Sequence, residues 1–218
     1  MTLEKPMREI TVDSRTRASR PGRLRVSKLR WLFRYPRWPV TLFCWFALSI
    51  VCAMKLHSLI YLVSLLLLGF NLLYWRRITE HFWGGATNAG VVISTSPILI
   101  AVHTDLSRSN GSYPVIRVIR ERSSRRWPHP LRVGQRVAAV ALYTAPENEA
   151  APHWETFDPR PVEPIARRAP DAVTVQARIP EEEWQELEAG VAEIGEARPG
   201  LYRIRKNSSH WSLVGPGN

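Results

Sequence analysis

The chain has 218 residues and a formal net charge of +11. With its basic N-terminal stretch and its apolar runs set aside, about 140 residues remain, enough for one domain with a core and too few for two. The two cysteines, Cys44 and Cys52, share one apolar run; about 12 Å apart along a helix they cannot bridge, so nothing argues for a disulfide-built secreted domain, and a reducing compartment fits.

Residues 1–37 hold eleven Lys and Arg against Glu4, Glu9 and Asp13, whereas residues 76–218 hold eighteen against sixteen acids. The excess charge therefore sits ahead of the first apolar run, where it speaks of membrane topology before nucleic acid. Ser, Thr, Pro, Gly and Arg dominate as far as Gly22. Residues 1–37 are predicted to be a basic arm, disordered or partly ordered on the membrane. In RLRVSKLRWLFR the apolar positions do not gather on one helical face, so attraction to anionic lipid heads is favoured over an interfacial helix.

Trp38–Met54 and Leu59–Trp75 are uncharged runs separated by Lys55-Leu56-His57-Ser58. As one helix the whole stretch is roughly 55 Å long, nearly twice the hydrocarbon thickness. Residues 38–75 are thus predicted to form a two-span transmembrane hairpin with a tight turn. Arg30, Arg34 and Arg37 before it, and Arg76 and Arg77 after it, outnumber Lys55 at the turn. The positive-inside rule then places both termini in the cytoplasm, the membrane being the inner one. Trp31, Trp38, Trp75 and Trp83 lie near that boundary. A signal peptide fits poorly, because the basic region is long and a second apolar run follows at once. A shallow re-entrant hairpin and a buried hairpin of a soluble fold stand as alternatives.

Residues 76–87 read as a juxtamembrane hinge, the helix breaking at Gly84-Gly85. From 88 to 205 the pattern is a small, mostly β domain. Val91–Ser94, Ile98–Thr104 and Tyr113–Ile119 are β-branched, with Asn110-Gly111 marking a hairpin between the last two. A turn at Leu131–Arg136 leads into VAAVALYT. Four strands in so short a span suggest a small barrel or a curled sheet. Residues 145–170, rich in proline, read as a connector, and Ala172–Ala177 as a further strand. Pro180 and Glu181, Glu182 and Glu183 start a helix that Gly195 ends, with Trp184, Leu187, Val191 and Ile194 on one stripe. Leu201–Ile204 reads as a last strand and 206–218 as a tail. The predicted fold class is α+β: a transmembrane hairpin, then a mostly β domain with one packed C-terminal helix.

The blocks NAGVVISTSPILIAVHTDL, YPVIRVI, VGQRVAAVALY, IPEEEWQELEAG and RPGLY, in that order from Asn88 to Tyr202, resemble a bacterial family of domains of unknown function, number three-two-three-nine in its series. The resemblance implies a domain boundary near Asn88, membrane segments ahead of it, and a bacterial cytoplasmic membrane. It implies no catalytic residue.

No phosphate loop, zinc spacing or nucleophile elbow is present, and no cofactor or metal is expected. His103 and Asp105, at i and i+2 on one face of a strand, are the most suggestive pair for a base and its orienter, beside the plainer reading of a polar strand end leading into a turn. Arg117, Arg120, Arg122, Arg125, Arg126, Arg132 and Arg136 crowd one hairpin region around Trp127. The patch has three readings: an anionic leaflet, phosphates stacked beside Trp127, or the acid-rich stretch 147–196 of the same chain. Arg117, Arg120, Arg122, Arg125, Arg126 and Trp127 are the candidate site for an anionic surface or lipid. The expected role is a membrane-tethered cytoplasmic binding or adaptor module with the bilayer and a protein as partners. An enzyme on a membrane-associated substrate is the alternative, and nucleic acid the least favoured.

Overall fold

A computed structural model describes residues 18–108, 112–121, 127–148, 150–206 and 211–214. Both apolar runs are helices. Pro36 leads into α2 (Arg37–Lys55), which stops at the predicted turn, and α3 (Ile60–Gly84) follows after Leu59. They pack on each other through small side chains: Ser49, Ala53 and Ser64 are buried, which lets two apolar helices approach closely. The Asn71 side-chain amide donates to the Leu42 carbonyl across the pair at 3.2 Å, and to Leu67 in its own helix at 3.0 Å. Among the described helices α2 alone is long and apolar enough throughout to cross a bilayer. The apolar part of α3 ends at Trp75, and its last turns carry Arg76, Arg77, Glu80 and His81.

The fold beyond the helices is α+β. One antiparallel sheet of seven strands has the order β5-β4-β1-β2-β3-β6-β7. The strands are β1 (Ala86–Thr95), β2 (Ile98–Asp105), β3 (Pro114–Glu121), β4 (Arg136–Thr144), β5 (Thr156–Pro161), β6 (Gly200–Lys206) and β7 (Trp211–Val214). The β2–β3 hairpin forms where Asn-Gly predicts it, with Asp105 opposite Pro114; the Asn110-Gly111 pair lies outside the described residues. Among the described residues the edge strands β5 and β7 do not pair with each other, so the sheet is open rather than closed into a barrel. It is nevertheless curled. Arg117 on β3 reaches across the concave side to β5, donating to Thr156 Oγ1 at 2.6 Å and to the Phe157 carbonyl at 3.0 Å.

Each face of the sheet has its own core, as alternating side chains require. Ala89, Val91, Leu99, Ala101, Ile116, Val118, Ala138 and Val140 face the helices. Against them pack α4 (Ala169–Gln176) and α5 (Glu181–Ile194). The α5 stripe of Trp184, Leu187 and Ile194 is buried as its spacing predicts, with Val191 half-buried beside it. The concave face collects Val92, Ile100, Val102, Leu106, Val115, Ala139, Trp154 and Phe157.

Four expectations are corrected. Ala172–Ala177 is not a strand: the residues lie in α4 and just past its end, because Ala172 and Val175, three apart, are the buried pair and Pro170 opens the helix while Val173 stays exposed. The proline-rich connector hides β5, which tolerates Pro159 and Pro161 because an edge strand needs amides toward one neighbour only. Of the predicted arm, disordered or partly ordered over 1–37, residues 1–17 lie outside the described residues, while 20–35 are ordered against the domain. The Gly22, Arg23 and Leu24 amides donate to the carbonyls of Gly85, Trp83 and Phe82, and Leu24 is buried. Positions 206–218 lie partly outside the described residues, but 211–214 form β7 rather than tail.

Candidate functional site

Among the described residues, the arginines of the predicted patch are divided between different surroundings. Arg117 points into the curl of the sheet. Arg136 belongs to the same chain's acids: it donates to both carboxylate oxygens of Glu181 at 2.7 and 2.8 Å and to Glu188 at 3.0 Å, with its guanidinium 5.2 Å above the Trp184 ring. That pairing raises the Arg136 pKa, and its hydrogen bonds hold the Glu181 carboxyl below the usual range. Arg120 and Arg132 are exposed. Arg122, Arg125 and Arg126 lie outside the described residues. Trp127 is 6% exposed, so it offers no open face on which a base could stack.

His103 and Asp105 are also divided. His103 is buried under α5, its Nε2 4.0 Å from Glu186. Asp105 ties the β2–β3 loop, accepting from the Ser107 amide at 2.7 Å, the Tyr113 amide at 2.9 Å and the Ser112 hydroxyl at 3.2 Å. Partial burial pushes its carboxyl up, but the bonds from Ser107, Tyr113 and Ser112 outweigh that and hold it below the ordinary value of 3.8. A lowered folded pKa stabilises the fold above the unfolded value and loses that contribution as pH falls through the folded one. Asp105→Asn is therefore expected to flatten the fall in stability of the purified protein below about pH 4. An unchanged acid limb in chemical unfolding would show that the loop does not use this charge. Among the described residues, no three His, Cys, Asp or Glu side chains converge as a metal ion requires.

The seam between hairpin and domain is the surface with the geometry of a site. The helix α1 (Lys28–Arg34) runs along it, its N-terminus capped by Ser27, and it has two faces. Trp31 and Arg34, three apart, are buried in the domain, while Leu29 and Phe33, four apart, are 62% and 58% exposed. A search for a single apolar face misses this pattern; two opposed faces at helical spacing were its signal.

Trp31 is the bolt. Its ring meets Phe82 edge-on at 5.7 Å, and its Nε1 donates to the Tyr74 hydroxyl at 2.9 Å. The Ser27 amide donates to Ile165, the Arg167 amide donates to the Arg25 carbonyl, and Arg30 donates to the Ala166 carbonyl at 2.8 Å, so α1 is also stitched to the loop after β5. Arg34 pairs with Glu121 at the end of β3. At the foot of α3, His81 is buried with its Nε2 3.0 Å from the Val140 carbonyl, and burial lowers its pKa.

What this seam presents outward is basic and aromatic. Lys28, Arg30, Arg37, Arg76 and Arg77 are exposed, and Glu80 is the one acid in residues 18–37 and 60–84. Lys28 Nζ lies 5.9 Å from the Trp75 ring centroid, and Trp38 and Trp83 are exposed. Chemically this arrangement suits negative groups lying over an apolar layer.

Residues 75–195 match the family described as "Protein of unknown function (DUF3239)". A solved structure described as "a putative membrane protein from Corynebacterium diphtheriae" aligns with a TM-score of 0.44 and 14% identity, covering 53% of this chain and 97% of that one. No curated protein matches the chain.

Proposed function

This chain belongs to the DUF3239 family, and we propose that it works as a membrane-tethered binding module whose α2–α3 hairpin crosses the bilayer with the domain on the cytoplasmic side. One observation carries the reading: the hairpin's large apolar side chains are exposed all round it. Phe43, Trp45, Leu48, Val51, Leu62, Leu65, Leu66, Phe70 and Leu72 all face outward, Leu65 at 66%. A water-facing surface does not hold so large an apolar patch. Lipid chains satisfy it, and helical geometry bonds the backbone within each span internally. At 1.5 Å per residue α2 is about 28 Å long, close to the hydrocarbon thickness of about 30 Å. The shorter apolar part of α3, about 24 Å, is extended by Arg76 and Arg77 reaching back to the headgroups.

Orientation follows from charge. Arg37, Arg76 and Arg77 stand at the domain end of the hairpin and Lys55 at the turn, which favours a cytoplasmic domain. A binding role, with a protein as its further partner, is preferred to a reaction because the His103–Asp105 pair is engaged separately, one under α5 and the other in a loop.

The test uses the full chain with Cys44→Ser and Cys52→Ser, carrying Ser58→Cys at the turn or Glu182→Cys on α5. A membrane-impermeant maleimide applied to intact bacterial cells is expected to label the turn variant only, and the domain variant after lysis. Labelling of neither before lysis would replace the crossing by a re-entrant hairpin, and labelling of the domain variant would reverse the topology. Extraction of the protein by alkaline carbonate would end the membrane reading.

A further inference from the structure

We propose that the α1–α3 seam is a binding surface for anionic phospholipid headgroups, so that the domain is seated on its leaflet rather than hanging from it. The inference rests on the membrane reading above and adds a ligand class and the residues that hold it: Lys28, Arg37, Arg76 and Arg77, with Leu29 and Phe33 beneath.

Three observations converge. First, the basic residues of this region split into two groups. Arg20 and Arg34 are consumed inside the protein by Glu183 and Glu121. Lys28 and Arg37 are exposed and have no acid along α1 or the start of α2. Arg76 and Arg77 share the single carboxylate of Glu80, at 2.7 and 3.5 Å, and so keep a net positive charge. Second, the exposed apolar pair Leu29 and Phe33 sits on the outer face of a helix whose other face is locked into the domain. Apolar side chains flanked by cations, on a helix whose Lys28 lies beside Trp75 and that leads directly into α2 with its exposed Trp38, match the boundary between headgroups and acyl chains. Third, the helix cannot swing away to leave that position empty, since Trp31 is bonded to Tyr74 and packed edge-on against Phe82. Lipid phosphate is the occupant that meets fixed cations over an apolar layer beside a membrane helix.

The full chain, with Cys44→Ser, Cys52→Ser and a fluorophore on Leu29→Cys, is reconstituted in nanodiscs of mixed phosphatidylglycerol and phosphatidylcholine. Brominated acyl chains are placed on one lipid class or the other. Quenching by the brominated anionic lipid is expected to exceed quenching by the zwitterionic one about threefold at low salt and to fall toward parity at high salt. The variant Lys28→Gln, Arg37→Gln, Arg76→Gln, Arg77→Gln, in which every changed side chain is exposed, is expected to show parity at all salt concentrations. Equal quenching by both lipids in the unmutated seam would overturn the lipid inference and leave the membrane reading standing. Absence of quenching by either, in protein that stays in the disc, would place α1 off the interface and overturn it as well. Failure to enter discs at all would instead sink the membrane reading.

Discussion

Glu121→Ala is expected to lower the stability of the domain by about 3–5 kcal/mol, because it strands a buried guanidinium without its partner. Arg34 and Glu121 pair with side-chain exposures of 5% and 8%. Water therefore cannot replace the lost carboxylate. The guanidinium's other neighbours offer little charge: the Tyr35 hydroxyl accepts from Nε at 3.3 Å, and the Tyr35 and Trp127 rings lie 5.8 and 5.7 Å from Cζ. Removing both charges with packing retained, as in Arg34→Met with Glu121→Leu, is expected to cost far less than either single loss, since neither desolvation penalty is then left unbalanced. Denaturant unfolding of the detergent-solubilised chain, followed by tryptophan fluorescence, measures all three variants. A loss below about 1 kcal/mol for Glu121→Ala would put the pair among exposed ion pairs. The pair joins residues 87 apart in sequence, so its loss also frees the C-terminal end of α1 from β3. Protease sensitivity at the seam should rise along with the loss of stability.

Arg34 shows what the linear pattern exposes and what it conceals. Counted with its neighbours it is one more cation ahead of an apolar run, and the positive-inside reading uses it so; only the fold reveals that Glu121 consumes it. The apolar runs, the Lys55 turn, the stop at Gly84-Gly85 and the α5 stripe were legible because each is local: a run length, a charge, a glycine pair, a helical spacing. The β2–β3 hairpin was legible for the same reason. The edge strand β5 was not, because Pro159 and Pro161 signal a loop unless the edge position is known. Val173-Thr174-Val175 carried strand propensity that tertiary packing overrode in α4. The seam was half legible. Its basic residues and tryptophans stood out, while α1 hid behind two short faces, each with only two apolar or long side chains in it. The hairpin arginines were misleading for the opposite reason, since clustering in sequence put Arg117 and Arg136 on opposite sides of one sheet.

The two adjacent glycines at the end of α3 are expected to respond to alanine with opposite signs. Read as a hinge, both would tolerate the change. The geometry separates them. A Cβ on Gly85 would stand 2.4 Å from the His81 carbonyl oxygen, 2.8 Å from the Ala141 carbonyl oxygen and 2.8 Å from Val140 Cγ1. Two of those three obstacles are backbone, and both are fixed: the Gly85 amide donates to His81 at 2.9 Å, and Ala86 pairs with Ala141 in the sheet. The Gly22 amide donates to the Gly85 carbonyl from the other side, so the residue cannot back away. Gly85→Ala must push α3 off β4, at a cost of about 3 kcal/mol or more. At Gly84, still helical, a Cβ would meet nothing within 4 Å. Gly84→Ala is expected to stabilise by up to about 1 kcal/mol, through helix propensity and a less flexible unfolded chain. Thermal unfolding of the two variants in the same detergent gives the answer directly: the midpoints should move in opposite directions from the parent. A neutral Gly85→Ala would mean that α3 meets the sheet loosely, and the ties of the α1 segment through Trp31, Arg30 and Arg34 would then have to hold the domain in its seat.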